Sequence, residues 1–85
     1  MPYIKQEDRK KFDDDINKII ENITATGELN YIITRLCLGY LKSKGKRYVN
    51  LNEIIGILEC AKEEFYRRQV APYEDEKIRT SGDVK

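Results

Sequence analysis

Apolar residues recur at intervals of three and four positions along most of this chain, the spacing that gathers side chains on one face of an α-helix. In the first third of the chain the stripe is narrow, and the remaining positions carry charged or amide side chains. The members of this stripe are Phe12, Ile16, Ile19, Ile20 and Ile23. The pattern predicts a helix over about residues 6–23 with one buried side.

The second apolar stretch is broader and predicts a helix over about residues 27–43. Its main stripe consists of Leu29, Ile32, Ile33, Leu36, Cys37, Tyr40 and Leu41. Tyr31 and Leu38 project from roughly the opposite side, which is too much apolar surface for a helix with one wet face. The helix is therefore either a central element or part of an oligomer contact. Gly39 inside it suggests a close backbone approach, because glycine destabilises a helix interior.

A third helix is predicted over about residues 51–71. Gly45 suits a left-handed cap that ends the second helix, and Asn50 with Glu53 forms a capping-box pattern that starts the third. The core stripe of this helix is Leu51, Ile54, Ile55, Leu58, Ala61 and Phe65. Ile57 and Cys60 form a smaller second set on the reverse side.

Pro72 is expected to end the third helix and to open a short fourth one over about residues 72–79. Three carboxylates follow it at positions 74–76, where the helix dipole stabilises negative charge. Residues 80–85 form a loose tail, and no strand pattern survives. The sequence therefore predicts one all-α domain over residues 1–85, with three main helices in a bundle and a short C-terminal fourth helix.

Charge is nearly balanced, with 16 basic and 15 acidic residues and a net charge of +1. This balance argues against a nucleic-acid or membrane partner. The exception is the basic segment 42–47, followed by Tyr48, which keeps weak nucleic-acid binding open as an alternative. No apolar run is long enough to cross a bilayer, so we expect a cytoplasmic protein with reduced thiols.

Candidate chemistry is sparse, because the chain has no histidine and only two cysteines. That combination falls short of a structural zinc site and excludes a cysteine–histidine nucleophile. Glu59 and Glu63 have the four-residue spacing of metal-binding carboxylates, and with Asp75 they are the best candidates for a metal-dependent hydrolase acting on nucleotides. A solvated helix face explains the same residues. We therefore predict no catalytic, metal or cofactor-binding residue and no cofactor.

Three blocks of the chain resemble a known family. They are GELNYIITRL at 27–36, NEIIGILECAKEEFYRR at 52–68, and VAPYEDEKI at 70–78 followed by Gly82-Asp-Val. Together they resemble an uncharacterised family of small all-helical proteins found in bacteria, archaea and phages. The resemblance implies a compact helical domain and no assigned activity, cofactor or catalytic residue.

The favoured interpretation is a small non-enzymatic interaction or accessory module that forms a homodimer or other homo-oligomer. The apolar positions outside the main stripes are its predicted contact residues, and a different protein partner would fit them as well. These positions are Tyr31, Leu38, Ile57 and Cys60. The alternatives are the metal-dependent hydrolase and the weak nucleic-acid-binding protein.

Overall fold

The computed structural model describes residues 4–85, and every regular element in that range is helical. Helix α1 spans Gln6–Asn22, α2 spans Thr26–Lys44 and α3 spans Tyr48–Phe65. A π-helical segment at Tyr66–Val70, hereafter the π segment, leads directly into α4 at Ala71–Ser81. The all-helical class predicted from the sequence is confirmed.

The chain divides into two compact units, residues 1–36 and residues 37–85. The first unit contains α1 and the beginning of α2. The second contains the end of α2, then α3, the π segment and α4. None of the helices within residues 4–85 has a stretch long and apolar enough to cross a membrane.

The start of α2 is fixed by an acidic side chain that folds back onto the preceding turn. The Glu28 carboxylate accepts hydrogen bonds from the backbone N–H groups of Thr24 and Ala25, at 2.7 and 3.1 Å, and from the Thr24 hydroxyl at 3.1 Å. In the structure Glu28 supplies the acceptor, because an ionised carboxylate is the stronger partner for donors left open before a first turn.

These donors lower the pKa of Glu28, the backbone N–H of Thr24 contributing most. A carboxyl with a lowered folded pKa stabilises the folded chain above its unfolded pKa, and that stabilisation disappears as the pH falls through the folded value. We therefore expect the start of α2 to fray as the pH falls below about 4.5, and Glu28→Gln to remove this pH dependence.

Carbon-detected NMR titration of the Glu28 carboxyl tests the expectation directly. Thr24→Val is the matched control, since it removes the hydroxyl donor and keeps the backbone N–H. It should return the Glu28 pKa only part of the way to its ordinary value. A Glu28 that titrates at its ordinary value in the unmodified chain would contradict the capping role.

The turn between α2 and α3 matches one prediction and corrects another. Gly45 has φ +102°, and its N–H bonds the Leu41 carbonyl at 2.8 Å, so the predicted left-handed cap is confirmed. Helix α3, however, begins at Tyr48, and Asn50 lies inside it. The Asn50 side-chain amide donates to the carbonyls of Gly45 and Lys44, at 2.9 and 3.3 Å.

The predicted capping box of Asn50 and Glu53 is therefore wrong, because both side chains form hydrogen bonds with other partners instead. The last carbonyls of a helix have no partner within it, and the Asn50 amide satisfies that of Lys44, the last residue of α2, together with that of Gly45. Glu53 is engaged as well, because its carboxylate accepts a hydrogen bond from the Tyr40 hydroxyl at 3.0 Å. Both side chains connect α3 to the preceding helix and not to their own helix end.

Two glycines in or beside α2 should respond to alanine in opposite directions. At Gly45 the positive φ is unfavourable for an L-residue, so Gly45→Ala should lower the free energy of unfolding by about 1 kcal/mol. At Gly39 an added Cβ meets no atom within 4 Å, so the expected close backbone approach is wrong there. Gly39→Ala should raise the free energy of unfolding by up to about 1 kcal/mol. Urea unfolding at one protein concentration measures both, and a shift of the same sign in both variants would contradict the assignment.

The sequence predicted that Pro72 ends one helix and opens the next. In the structure the backbone remains helical up to and through Pro72. Pro72 lies in the first turn of α4, and the π segment before it keeps the backbone helical. A proline lacks an N–H, and its ring clashes with the carbonyl four residues earlier, here Arg68. The π segment widens the turn: the Ala71 N–H bonds the carbonyl of Tyr66, five residues back. The wider turn accommodates the proline that would disrupt an α-helix.

Burial is low throughout residues 4–85. Ile54, at 8% exposure, is the buried residue of this range. Most members of the predicted core stripes are exposed, among them Phe12, Leu36 and Phe65. The all-helical class therefore holds, whereas the packed bundle core predicted from those stripes is not confirmed.

Candidate functional site

An apolar concavity of the first unit lies where α1 ends and α2 begins. Its volume is about 550 Å³, and its wall is mainly aliphatic and aromatic with a polar edge. The lining residues are Lys18, Ile19, Asn22, Ile23, Gly27, Glu28, Tyr31 and Ile32. The Glu28 cap described above holds the corner, so the concavity is a direct result of how α2 begins. Its lining is mainly apolar and also includes the charged side chains of Lys18 and Glu28.

The predicted contact residues are exposed. Tyr31, in the first unit, accepts a hydrogen bond at its hydroxyl from Arg35 at 2.8 Å and also carries the Arg35 guanidinium over its ring. In the second unit Leu38 and Ile57 are 56% and 51% exposed. Cys60 is an exposed free thiol. All four are available to a partner.

The turn between α2 and α3 is strongly basic and well ordered by hydrogen bonds. We call Lys42, Lys44, Lys46, Arg47 and Tyr48 the basic turn. Asn50 and the Gly45 cap fix its backbone, and a hydrogen bond from the Arg47 N–H to the Gly45 carbonyl, at 2.9 Å, closes it. The charged residues of the basic turn therefore lie on a backbone that is ordered by hydrogen bonds.

Two tyrosine–carboxylate hydrogen bonds join parts of the second unit. Tyr40 donates to Glu53, and Tyr66 donates to Glu74 at 2.6 Å. Each bond raises the pKa of its tyrosine, because ionisation would remove the donated proton and place two negative charges side by side. Both phenols therefore lose their proton only at a pH above the ordinary pKa of tyrosine.

The Tyr66–Glu74 bond depends on the π segment. Residues eight apart on an α-helix point about 80° away from each other. One extra residue in the turn brings them within about 20° of the same direction, two turns apart. The bond therefore spans the wide turn and Pro72 and connects the π segment to α4.

Comparison with known families decides what the chain can be assigned to. A family described as a domain of unknown function (DUF6899) matches residues 1–84. The chain belongs to this family. The family resemblance seen in the sequence is confirmed to that extent, and DUF6899 carries no activity to transfer. No curated protein and no solved structure matches this DUF6899 chain significantly.

The acidic residues proposed as metal ligands are not brought together in this DUF6899 domain. Glu59 forms an ion pair with Lys62 at 3.2 Å, and Glu63 and Asp75 are exposed. Within residues 4–85 no group of three or more acidic or thiol side chains has an arrangement that would hold a metal ion. The spacing of Glu59 and Glu63 reflects a solvated helix face.

Glu64, near the end of α3, pairs with two arginines of the π segment. It accepts from Arg68 Nε at 3.0 Å and from Arg67 Nη2 at 2.5 Å. The Arg68 hydrogen bond contributes most to lowering the pKa of Glu64, and partial burial opposes it. The arrangement stabilises the end of α3 beside the π segment.

Sequence reasoning missed the structural roles of Glu28 and of both tyrosine–carboxylate pairs. The Glu28 role was detectable, because a carboxylate at the third helical position is a known capping signal. The partners in the Tyr40–Glu53 pair are 13 positions apart, across a turn. No local spacing rule links residues at that distance.

Proposed function

We propose that this domain is a non-enzymatic interaction module that associates with a second copy of itself through its exposed apolar helix faces. The observation that carries the proposal is its surface. Within residues 4–85 Ile54 is the one buried apolar residue, whereas large apolar residues on the helices, among them Leu36, Ile55 and Phe65, are more than 60% exposed.

Apolar faces of this kind are what stable homodimers bury. Obligate homodimers remove about 2,000 to 5,000 Å² of total surface from water. Large apolar side chains form much of the uncovered surface, and such patches mark interaction sites. Burying them against a partner supplies the hydrophobic stabilisation that one buried isoleucine does not.

A second copy is the occupant that the charge balance favours. With a net charge of +1, two copies approach each other without strong mutual repulsion. The apolar faces offered by one chain are also offered by the other, as a two-fold contact requires. The sequence-predicted contact residues Leu38, Ile57 and Cys60 lie in the second unit, and more than half of the Leu38 and Ile57 side-chain area is exposed.

The non-enzymatic part of the proposal is supported by the way its ionisable groups are perturbed. Two carboxyls have lowered pKa values and two tyrosines have raised ones. Each shift moves the group away from neutrality, whereas a general acid or base needs a pKa near the working pH. All four shifts have a structural cause in a helix cap, an ion pair or a hydrogen bond.

Sedimentation equilibrium of the full chain tests the proposal. Across the micromolar range we expect a species with twice the 10.0 kDa chain mass. The measurement should be made in reducing buffer and repeated with Cys60→Ser, so that a disulfide between exposed thiols is not mistaken for association. A single species of 10.0 kDa at every concentration would overturn the proposal.

A further inference from the structure

We infer that the basic turn is a binding site for single-stranded nucleic acid, a function separate from self-association. The near-neutral total charge argued against such a partner. Three structural observations change that assessment: the cations of the turn lack carboxylate partners, an aromatic ring stands open beside them, and the backbone that carries them is fixed.

The local charge is far from neutral. Residues 29–52 contain five cations and no acidic residue, and four of those cations belong to the basic turn. Helix α3 also opens without an acidic residue in its first turn. The total of +1 arises because acidic residues elsewhere in the chain offset this stretch.

These cations are not neutralised by ion pairs. Within residues 4–85 the ion pairs join Glu59 to Lys62 and Glu64 to both Arg67 and Arg68. None involves the basic turn. Lys44 lies over the Tyr40 ring at 5.7 Å, which keeps its charge and holds its side chain near the turn. The turn therefore offers up to four positive charges to a polyanion.

Tyr48 supplies the second element of the site. It is 84% exposed, the highest value of any tyrosine in the described chain, and it directly follows Arg47. A ring open to solvent beside cations can stack on an unpaired base while the cations contact the flanking phosphates. A duplex keeps its bases stacked inside, which is why the site favours a single strand.

The turn is also preorganised. Gly45, Asn50 and the Tyr40–Glu53 hydrogen bond hold the ends of α2 and α3 on either side of it. A site whose backbone is already ordered loses less conformational entropy on binding than a flexible basic tail does. The backbone of the turn therefore needs no further ordering when a strand binds.

Fluorescence anisotropy of the full chain with labelled single-stranded RNA and DNA of mixed sequence tests the inference. We expect binding at low salt, with log affinity falling against log salt with a slope of about −3 if four phosphates are neutralised. A duplex of the same sequence should bind more weakly. Folding and association of every variant are checked by circular dichroism and sedimentation.

Two kinds of variant separate the charges from the ring. The charge variant combines Lys42→Gln, Lys44→Gln, Lys46→Gln and Arg47→Gln, and it should lose affinity at least about tenfold and flatten the salt slope. Tyr48→Ala should lower affinity about tenfold at an unchanged slope, and Tyr48→Phe should restore it, because stacking needs the ring alone. If the charge variant fails to fold, Lys46→Gln and Tyr48→Ala are tested singly.

A matched control carries the same charge change elsewhere in the chain. It combines Lys5→Gln, Lys10→Gln, Lys62→Gln and Arg79→Gln. An equal loss in this control would overturn the site, since binding would then follow total charge. Absence of binding at low salt would also overturn it. So would binding of the turn only to vesicles of anionic lipid, or a charge variant that loses self-association and not oligonucleotide affinity.

Discussion

Replacing Leu38 and Ile57 together by lysine should convert the proposed dimer into monomers. Leu38 and Ile57 are 56% and 51% exposed, and a two-fold contact would bury each of them twice. Fully burying a side chain of this size contributes about 1.5 to 3 kcal/mol. About half of that stabilisation would be lost at each of four positions, two in each chain of the dimer. We therefore expect self-association to weaken at least about 100-fold. Sedimentation equilibrium measures the shift.

The control for that variant is a double substitution with the same added charge at other exposed apolar positions. Ile78→Lys with Val84→Lys meets this need, since Ile78 lies in α4 and Val84 in the tail beyond it. The control should stay dimeric. Equal dissociation in both variants would show that repulsion between positively charged chains, and not a contact through Leu38 and Ile57, sets the oligomeric state.

Truncating Ile54 should give the largest loss of stability for a single apolar substitution. Ile54 is the buried residue of the described range, and removing a buried isoleucine side chain down to alanine costs about 2 to 5 kcal/mol. Because burial is low throughout residues 4–85, we expect the lower end, about 2 to 3 kcal/mol. Urea unfolding at fixed protein concentration gives the value.

The adjacent residue provides a close control. Ile55 has the same side chain on the same helix but is 65% exposed, so Ile55→Ala should change the free energy of unfolding by less than about 1 kcal/mol when measured on the monomer. The ratio of the two effects is the test. Similar losses at both positions would mean that Ile54 is no more protected than its neighbour.

The helices were predictable because their signal is local. The periodic stripe of α1 predicts its start at Gln6, and its end agrees within one residue; α2 agrees within one residue at both ends. Gly45 was predictable for the same reason, since its positive φ is a local backbone demand. Where a local residue pattern is compatible with one backbone conformation only, the sequence alone is sufficient to predict that conformation.

Prediction failed where two partners compete for the same side chain. Asn50 has the sequence signature of a cap for α3, but in the structure its amide donates to the carbonyls of Lys44, the last residue of α2, and of Gly45 after it. The π segment is a comparable case: a proline normally signals a helix end, and only the five-residue hydrogen bond from Ala71 to Tyr66 shows that the backbone widens around it. Such choices depend on residues brought together by folding.

The candidate sites likewise have some features that the sequence predicts and others that depend on folding. The basic turn and the exposed contact residues were visible in the sequence, because charge and hydrophobicity belong to single residues. The lack of carboxylate partners around the turn and the open face of Tyr48 were not, because both depend on where other side chains lie.

The π segment also bears on how the length of this chain can vary. A hydrogen bond to the fifth preceding residue encloses one residue more than an α-helical turn needs. Loss of one residue there, for example Gln69, would return the turn to α-helical winding and leave Tyr73 on the same side of the helix relative to α3. A relative shorter by one residue at this turn would thus keep its faces in phase. The wide turn is a point inside a continuous helical stretch where the chain accommodates a change of length without a loop.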